Sequence, residues 1–201
     1  MEVIEAIYKR RSIKQFDPDH KMTPEEETKL FEAVIQAPTS FNIQHWRFVV
    51  IREPELRTRI RKEFGNDQSQ MTDASLLVVF TADEKAWEKD PARYWKNAPQ
   101  EVADLLVGWM GRFHEGREWL QRDEAQRSIG MAMQTLMLAA QGMGYQSCPM
   151  IGFEIDKVAE LINLPEDHVM GPMVAIGKGT KDPWPKPGQL SLDQLVFENS
   201  F

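Results

Sequence analysis

Pro38-Thr39-Ser40-Phe41-Asn42-Ile43-Gln44-His45-Trp46-Arg47 sets two hydroxyls, two amides, a proline and an indole in ten consecutive residues. Upstream, apolar residues recur at three- and four-residue intervals, and downstream Phe48-Val49-Val50-Ile51 is a continuous apolar run. The stretch therefore reads as a junction from a helix (Thr23 to Ala37) to a strand (Phe48 to Ile51), where recognition groups are commonly displayed. In an extended loop Asn42 and Gln44 face the same way, and each amide offers a donor beside an acceptor, which suits a flat heterocycle with a polar edge. By itself the stretch reads equally as an ordinary connection rich in turn formers.

Working outward, Thr23-Pro24-Glu25-Glu26 has the form of a helix start, with Thr23 as N-cap, Pro24 in the first turn and Glu26 completing a capping box. Further upstream, Val3, Ile4 and Ile7 predict a short leading helix, followed by Arg10-Arg11-Ser12-Ile13-Lys14. If that segment is extended, Arg10, Ser12 and Lys14 share one face and could hold a phosphate by charge-assisted bonds; the alternative is a solvated basic turn. Downstream, the spacing predicts a surface helix over 54–64, a turn over 65–68 and a second strand from Leu76 to Thr81 whose unbroken apolar character implies a sheet covered on both faces. Residues 83–121, rich in tryptophan, predict one helix over about 99–115 and an excursion over a pocket. His114 and Glu115 adjoin there, but neighbours on a helix point apart and make a poor metal pair.

Residues 126–143 leave hardly a polar face and predict a central helix. Ser147 to Phe153 reads as a tight apolar turn in which Gly152 lets backbone approach a ligand. A short helix over 156–164 and a third strand over 170–176 follow. Pro183, Pro185 and Pro187 forbid a helix in the tail, and the alternation from Leu190 to Phe197 predicts one more strand, in an arm suited to crossing to a second subunit.

Composition excludes several classes. With 24 basic against 31 acidic residues the chain carries −7, unlike a dedicated nucleic-acid binder or a polybasic membrane binder, so any anion site must be local. One cysteine, Cys148, excludes an intrachain disulfide and a multi-cysteine metal site. The opening MEVIEAIYKRRS lacks an apolar secretory core, and the cytoplasm is the expected location. At 201 residues the chain is expected to be a single domain, with 83–121 as a helical excursion and 182–201 as the arm.

A phosphate-holding basic face, an amide-rich loop for a polar ring edge and a Pro-x-x-Gly segment for close backbone contact together describe the parts of a flavin mononucleotide (FMN) site. At this point the chain resembles the FMN-dependent nitroreductase family, through Arg10-Arg11-Ser12-Ile13-Lys14-x-Phe16, Ala37 to Phe48, Asp73-Ala74-Ser75 before a strand, and Pro149-Met150-Ile151-Gly152-Phe153. The resemblance implies an α+β, nitroreductase-like three-layer fold, with a central mostly antiparallel sheet flanked by helices, as an intertwined homodimer with an exchanged C-terminal arm. It implies that Arg10, Ser12 and Lys14 hold the FMN phosphate and ribityl chain with Arg11 assisting, and that Pro38, Thr39, Ser40 and Asn42 come from the other subunit. Backbone at Pro149, Met150, Ile151 and Gly152 would line the ring, one N–H reaching its N5.

Two departures from the family pattern stand out. Gln70 occupies the place where many members have a lysine near the ring's N1/O2 edge, and the tail leaves Lys178 or Lys186 as the remaining phosphate cation. The implied activity is ping-pong hydride transfer from NADH or NADPH to a small-molecule acceptor such as a nitroaromatic or quinone. The flavin carries the chemistry, so no protein catalytic residue and no metal are expected. Cys148 is expected to be a small apolar residue rather than a nucleophile. The alternatives are a reductive dehalogenase or flavin-modifying enzyme of the same fold, or a module that stores FMN without useful turnover.

Overall fold

The computed structural model describes residues 1–201. In chain order its regular elements are α1 (Val3–Lys9), α2 (Pro24–Val34), β1 (Trp46–Val50), α3 (Pro54–Arg59), α4 (Gln70–Asp73), β2 (Leu76–Asp83), α5 (Gln100–His114), α6 (Glu118–Gly142), β3 (Gln146–Met150), α7 (Ile155–Leu161) and β4 (His168–Gly177). The strands form one sheet in the order β1-β2-β4-β3, and every pairing is antiparallel. The predicted three-layer arrangement of helices on both sides of a sheet is what the chain adopts.

Every residue of β2 is buried, which follows from its unbroken apolar run. Period-two geometry sends Leu76, Val78, Phe80 and Ala82 to one face, where they join Leu30 and Val34 of α2 and Ile129, Ala132 and Leu136 of α6. Leu77 and Val79 go to the other face, with Met173 and Ala175 of β4, Cys148 and Met150 of β3, Ile60, Met71 and Val158. A satellite cluster of Ile43, Ala86, Tyr94 and Met110 sits under the 83–121 excursion, which contains a 3-10 turn (Pro91–Trp95) besides α5. The capping box of α2 forms as its sequence requires: Glu26 N–H donates to Thr23 Oγ1 at 3.2 Å and Thr23 N–H donates to Glu26 Oε2 at 2.9 Å.

Several boundaries and two assignments differ from the sequence reading. The helix of the 126–143 segment begins at Glu118; its first two turns are mostly polar, and Leu120 and Ala125, both buried, hold them down. The expected turn at 147–153 is in fact β3 as far as Met150, paired through Pro149↔Val174. A proline is tolerated there because β3 ends the sheet, where a missing N–H can face away from the ladder. The expected strand over 190–197 is a correction in the other direction. Its residues form a short 3-10 turn, Leu192–Gln194, in which Ser191 N–H and Oγ–H both donate to Gln194 Oε1. Alternation alone does not make a strand: this segment has no ladder partner in the chain, and a local cap satisfies the backbone instead.

β4 passes the middle of the sheet with a register shift against β2 between Val79 and Thr81, opposite Gly171 and Pro172. Pro172 fits because the ladder is already broken at that bulge, and Gly171 is needed for room. A Cβ there would lie 2.8 Å from Ile129 Cγ2 and 3.1 Å from the Phe80 carbonyl oxygen. Gly171→Ala is expected to destabilise the protein by about 1–3 kcal/mol through overpacking, read as a lower urea midpoint with an unchanged slope.

Candidate functional site

The basic segment leaves α1 extended, as the period-two reading requires. Ile13 N–H donates to the Ser147 carbonyl at 3.1 Å, Ser12 bridges Ser147 in parallel and Phe16 bridges Gly179. Ile13 and Phe16 are buried anchors, so Ser12 and Lys14 turn to the opposite side. There a cavity of about 610 Å³ opens between Arg10, Arg11, Ser12 and Lys14 on one wall and residues 181–189 on the other. Arg11 Nη2 donates to the Trp184 carbonyl at 2.5 Å and pins the tail across this opening. The walls carry Arg10, Arg11, Lys14, Lys181 and Lys186 against a single carboxylate, Asp182, so positive charge is concentrated here in a chain whose net charge is −7. Arg10 Nη1 is buried without a hydrogen-bond partner. An orphaned buried guanidinium N–H is costly unless an anion meets it, and the cavity has the donor set for a phosphate group.

The same region gathers the residues expected at the ring. α4 buries Gln70, whose Nε2 donates to Gln68 Oε1 at 3.0 Å and lies 3.9 Å from Cys148 Sγ. Burial pushes the Cys148 thiol up, while the cations Lys14 and Arg10 and the Gln70 amide act against that shift, which sets all three near the middle of β3. The thiol is therefore protonated and buried, unsuited to nucleophilic work. Pro149 and Met150 end β3, and Ile151 and Gly152 follow it in the open. Of the two lysines left open by the sequence, Lys186 lines the cavity. Lys178 does not: its Nζ donates to the Gly144 carbonyl at 2.7 Å and stands 3.9 Å over the Tyr145 ring.

The opening loop lies elsewhere. Pro38, Thr39, Ser40 and Asn42 line no part of that cavity, so one chain does not bring the two halves of the predicted constellation together. Phe41, Asn42 and Gln44 have φ of 49°, 56° and 55°, left-handed residues around the right-handed Ile43 that persist only if their surroundings over-determine them. Thr39 Oγ1 accepts from Gln44 N–H at 3.0 Å, Asn42 Nδ2 donates to the Tyr94 carbonyl at 2.9 Å, and Gln44 Nε2 donates to Asn42 Oδ1 at 3.3 Å. The loop is not extended, so period-two facing does not apply to it; the Asn42 and Gln44 amides meet because the backbone turns there. Ile43 plugs into Ala86, Tyr94 and Met110. Ser40 Oγ is buried without a partner. The sequence reading did not find Tyr94 as the loop's anchor, because a backbone carbonyl leaves no residue-type signal. It also read 65–68 as a plain turn, although Asn66, Gln68 and Gln70 present amides at period two.

Asp83, Asp167 and His168 cluster closely enough to hold a metal ion, but the Lys89 ammonium already sits 2.9 Å from Asp83 and 2.5 Å from Asp167. Lys89 and His168 hold the Asp167 carboxyl down at about 2, so this is an internal ion pair. His114 is buried with Nδ1 on the Met110 carbonyl.

His45 closes the loop onto α6, with Nδ1 2.9 Å from Ser128 Oγ. Burial, helped by His114 and Arg47 and opposed by Glu124 and Asp83, pushes its pKa down to about 4, and burial lowers His114 as well. A histidine with a depressed folded pKa binds fewer protons in the native than in the unfolded state. Its contribution is complete above the unfolded pKa, near 6.5, and is lost as pH falls toward about 4. The loss from His45 is expected to be about 3 kcal/mol, measured as the part of the urea-unfolding difference between neutral and acid pH that disappears in His45→Gln.

A family model described as the nitroreductase family matches residues 7–178. The chain is 63% identical over 201 residues to the Synechocystis protein DrgA, covering 98% of this chain and 95% of that one. It is 28% identical over 183 residues to MhqN of Bacillus subtilis, assigned by name as an NAD(P)H nitroreductase, with 88% of each chain covered. Among solved structures, one from Exiguobacterium sibiricum, assigned as a nitroreductase and in complex with FMN, superposes with a TM-score of 0.88 at 28% identity, over 98% of this chain and 97% of that one.

Proposed function

We infer the activity from one premise: this chain belongs to the nitroreductase family. The proposed function is that of a flavoprotein oxidoreductase which binds FMN and uses NADH or NADPH to reduce a nitroaromatic, a quinone or a similar small acceptor. The observation that carries it is the half-buried Arg10, whose Nη1 is buried without a hydrogen-bond partner, in a cation-walled cavity of an acidic protein, which suits a phosphate-bearing cofactor. When bound, FMN would supply two-electron hydride chemistry between the nicotinamide and the acceptor, in the ping-pong order proposed here.

The chain's own residues bind and orient. Arg10, Ser12, Lys14 and Lys186 would hold the phosphate end, and Arg11, tied to the Trp184 carbonyl, would keep the arm across it. Gln70 would present a neutral donor to the polar edge of the ring, with the backbone of Pro149, Met150, Ile151 and Gly152 along it. Pro38, Thr39, Ser40 and Asn42 would reach the flavin held by a second copy of the chain, which accounts for their distance from the cationic cavity of their own. A homodimer is further supported by α1, whose Val3, Ile4, Ile7 and Tyr8 are exposed, and by the arm, which exposes Trp184, Leu190, Leu192, Leu195, Val196 and Phe197; runs of exposed apolar side chains mark association surfaces. On this reading 1–201 is one domain, 83–121 overhangs the acceptor pocket and 182–201 reaches the partner. No helix is long and apolar enough to cross a membrane, and the cytoplasm is the proposed location.

The purified protein is expected to be yellow, with the visible spectrum of bound FMN, and to oxidise NADH or NADPH when given a nitroaromatic or quinone. A colourless protein that FMN cannot reconstitute would overturn the reading.

The ring environment makes a second prediction. Gln70 is neutral where a cation would favour the added negative charge of a reduced flavin, and it lies buried beside Cys148. Gln70→Lys is therefore expected to raise the flavin midpoint potential, measured by spectroelectrochemistry; an unchanged or lower potential would show that position 70 does not face the ring.

A further inference from the structure

Two side-chain amides converge on a single backbone oxygen beside the proposed ring site. Asn66 Nδ2 donates to the Gly152 carbonyl at 3.1 Å and Gln68 Nε2 donates to it at 2.9 Å. Gln68 is held at its other end too, since its Oε1 accepts from Gln70 Nε2 at 3.0 Å. The backbone that presents these amides is unusual. A π-helical turn, Ile60–Phe64, runs into Gly65, where a Cβ would lie 2.5 Å from Met71 Sδ and 2.9 Å from the Ile60 carbonyl. Asn66 and Asp67 follow with φ of 51° and 54°, and the Asp67 carboxylate is gripped by Arg61 Nε at 2.7 Å and Lys62 Nζ at 2.8 Å.

A plain structural tie between this turn and the end of β3 does not need both amides, because Glu154 N–H already donates to the Phe64 carbonyl at 2.9 Å and joins the same two segments. What the amides add is direction. Peptide planarity couples the Gly152 carbonyl to the Phe153 N–H, which donates to the Ile151 carbonyl at 2.9 Å. That bond in turn sets the plane of the Ile151–Gly152 peptide. Its N–H, on Gly152, makes no hydrogen bond within the chain and sits in an exposed segment where Ile151 is 61% exposed. Without the two amides only the Phe153 N–H bond to Ile151 would hold that plane, at a glycine whose backbone has the widest choice of conformations.

We propose that Asn66 and Gln68 are positioning residues that aim the free Gly152 N–H into the ring site, as a preset donor for an acceptor atom of bound FMN. The role rests on the flavin reading above. It assigns to a turn outside the basic segment and the opening loop the task of orienting a backbone donor that no side chain could supply.

Gln68→Glu tests it, because the carboxylate keeps the shape and the acceptor for Gln70 but turns a donor into an oxygen facing the Gly152 carbonyl. In the flavin-free protein the Gly152 and Phe153 amide signals are expected to shift in ¹⁵N NMR. FMN affinity, followed by flavin fluorescence, is expected to fall about tenfold, the worth of one well-aimed hydrogen bond. Asn66→Ala is expected to do the same to a smaller degree, and the double variant to lose less than the sum, since both donors serve one oxygen. If Gln68→Glu does not fold, Gln68→Met removes the donor without adding charge and carries the same expectations. Weaker FMN binding with unmoved Gly152 and Phe153 amides would mean that Gln68 touches the flavin itself and would overturn the positioning role, as would unchanged FMN affinity. Wild-type protein that fails to bind FMN at all would instead overturn the cofactor reading on which the role depends.

Discussion

The complete burial of β2 is the constraint on which the rest of the structure depends. A strand with no polar face must be covered on both sides, and each buried Val, Leu or Phe side chain contributes about 1.5–3 kcal/mol when it is. The chain meets this demand with α2 and the long α6 on one face and the α3, α4 and α7 layer on the other. Because β4 must pair with β2 while passing close under α6, it carries the Gly171-Pro172 bulge. β3 is then left at the edge, and its outer side accepts the extended basic segment at Ser147. The candidate anion site is thus a product of sheet order: the strand that ends the sheet is the one beside which Arg10 to Lys14 can lie.

Charge and strain are concentrated where the fold is otherwise least regular. Five cations meet around one cavity of a chain that is net acidic. The left-handed non-glycine residues Phe41, Asn42 and Gln44, and Asn66 and Asp67, fall in two segments that both present amide side chains and are both held by their surroundings, through Tyr94, the Ile43 plug and His45 in one case and Arg61 and Lys62 in the other. Such backbone costs free energy that a purely structural turn would avoid. Its placement at the opening loop and at the turn beside the proposed ring site agrees with pre-set recognition rather than capture by a mobile loop.

Much of the architecture was legible in residue order because it rests on local periodicity. The capping box at Thr23, the apolar run of β2, the hardly polar face of α6 and the extended Arg10-x-Ser12-x-Lys14 face all follow from patterns within a few residues. Ser147 to Met150 reads as a turn because it sets a proline and a cysteine within four residues, and only the pairing with Val174 and its neighbours makes them a strand. Leu190 to Phe197 was misread for the complementary reason, since alternation describes a strand only where a ladder is available to receive it.

What the sequence by itself determined is the set of chemical groups and their local geometry: a phosphate-suited cation face, an amide-rich loop after a capped helix, Gly152 three residues beyond Pro149, and with them the nitroreductase family. Only the tertiary structure decided which of these groups meet. It set Lys186 rather than Lys178 on the cationic cavity, kept Pro38 to Asn42 away from that cavity within one chain, and turned Asn66 and Gln68 onto the Gly152 carbonyl. The physical reason is that hydrophobic periodicity and capping act over one or two turns of chain. Convergence between residues more than eighty positions apart is fixed by sheet order, bulges and the packing of both faces of β2, and no local pattern encodes it.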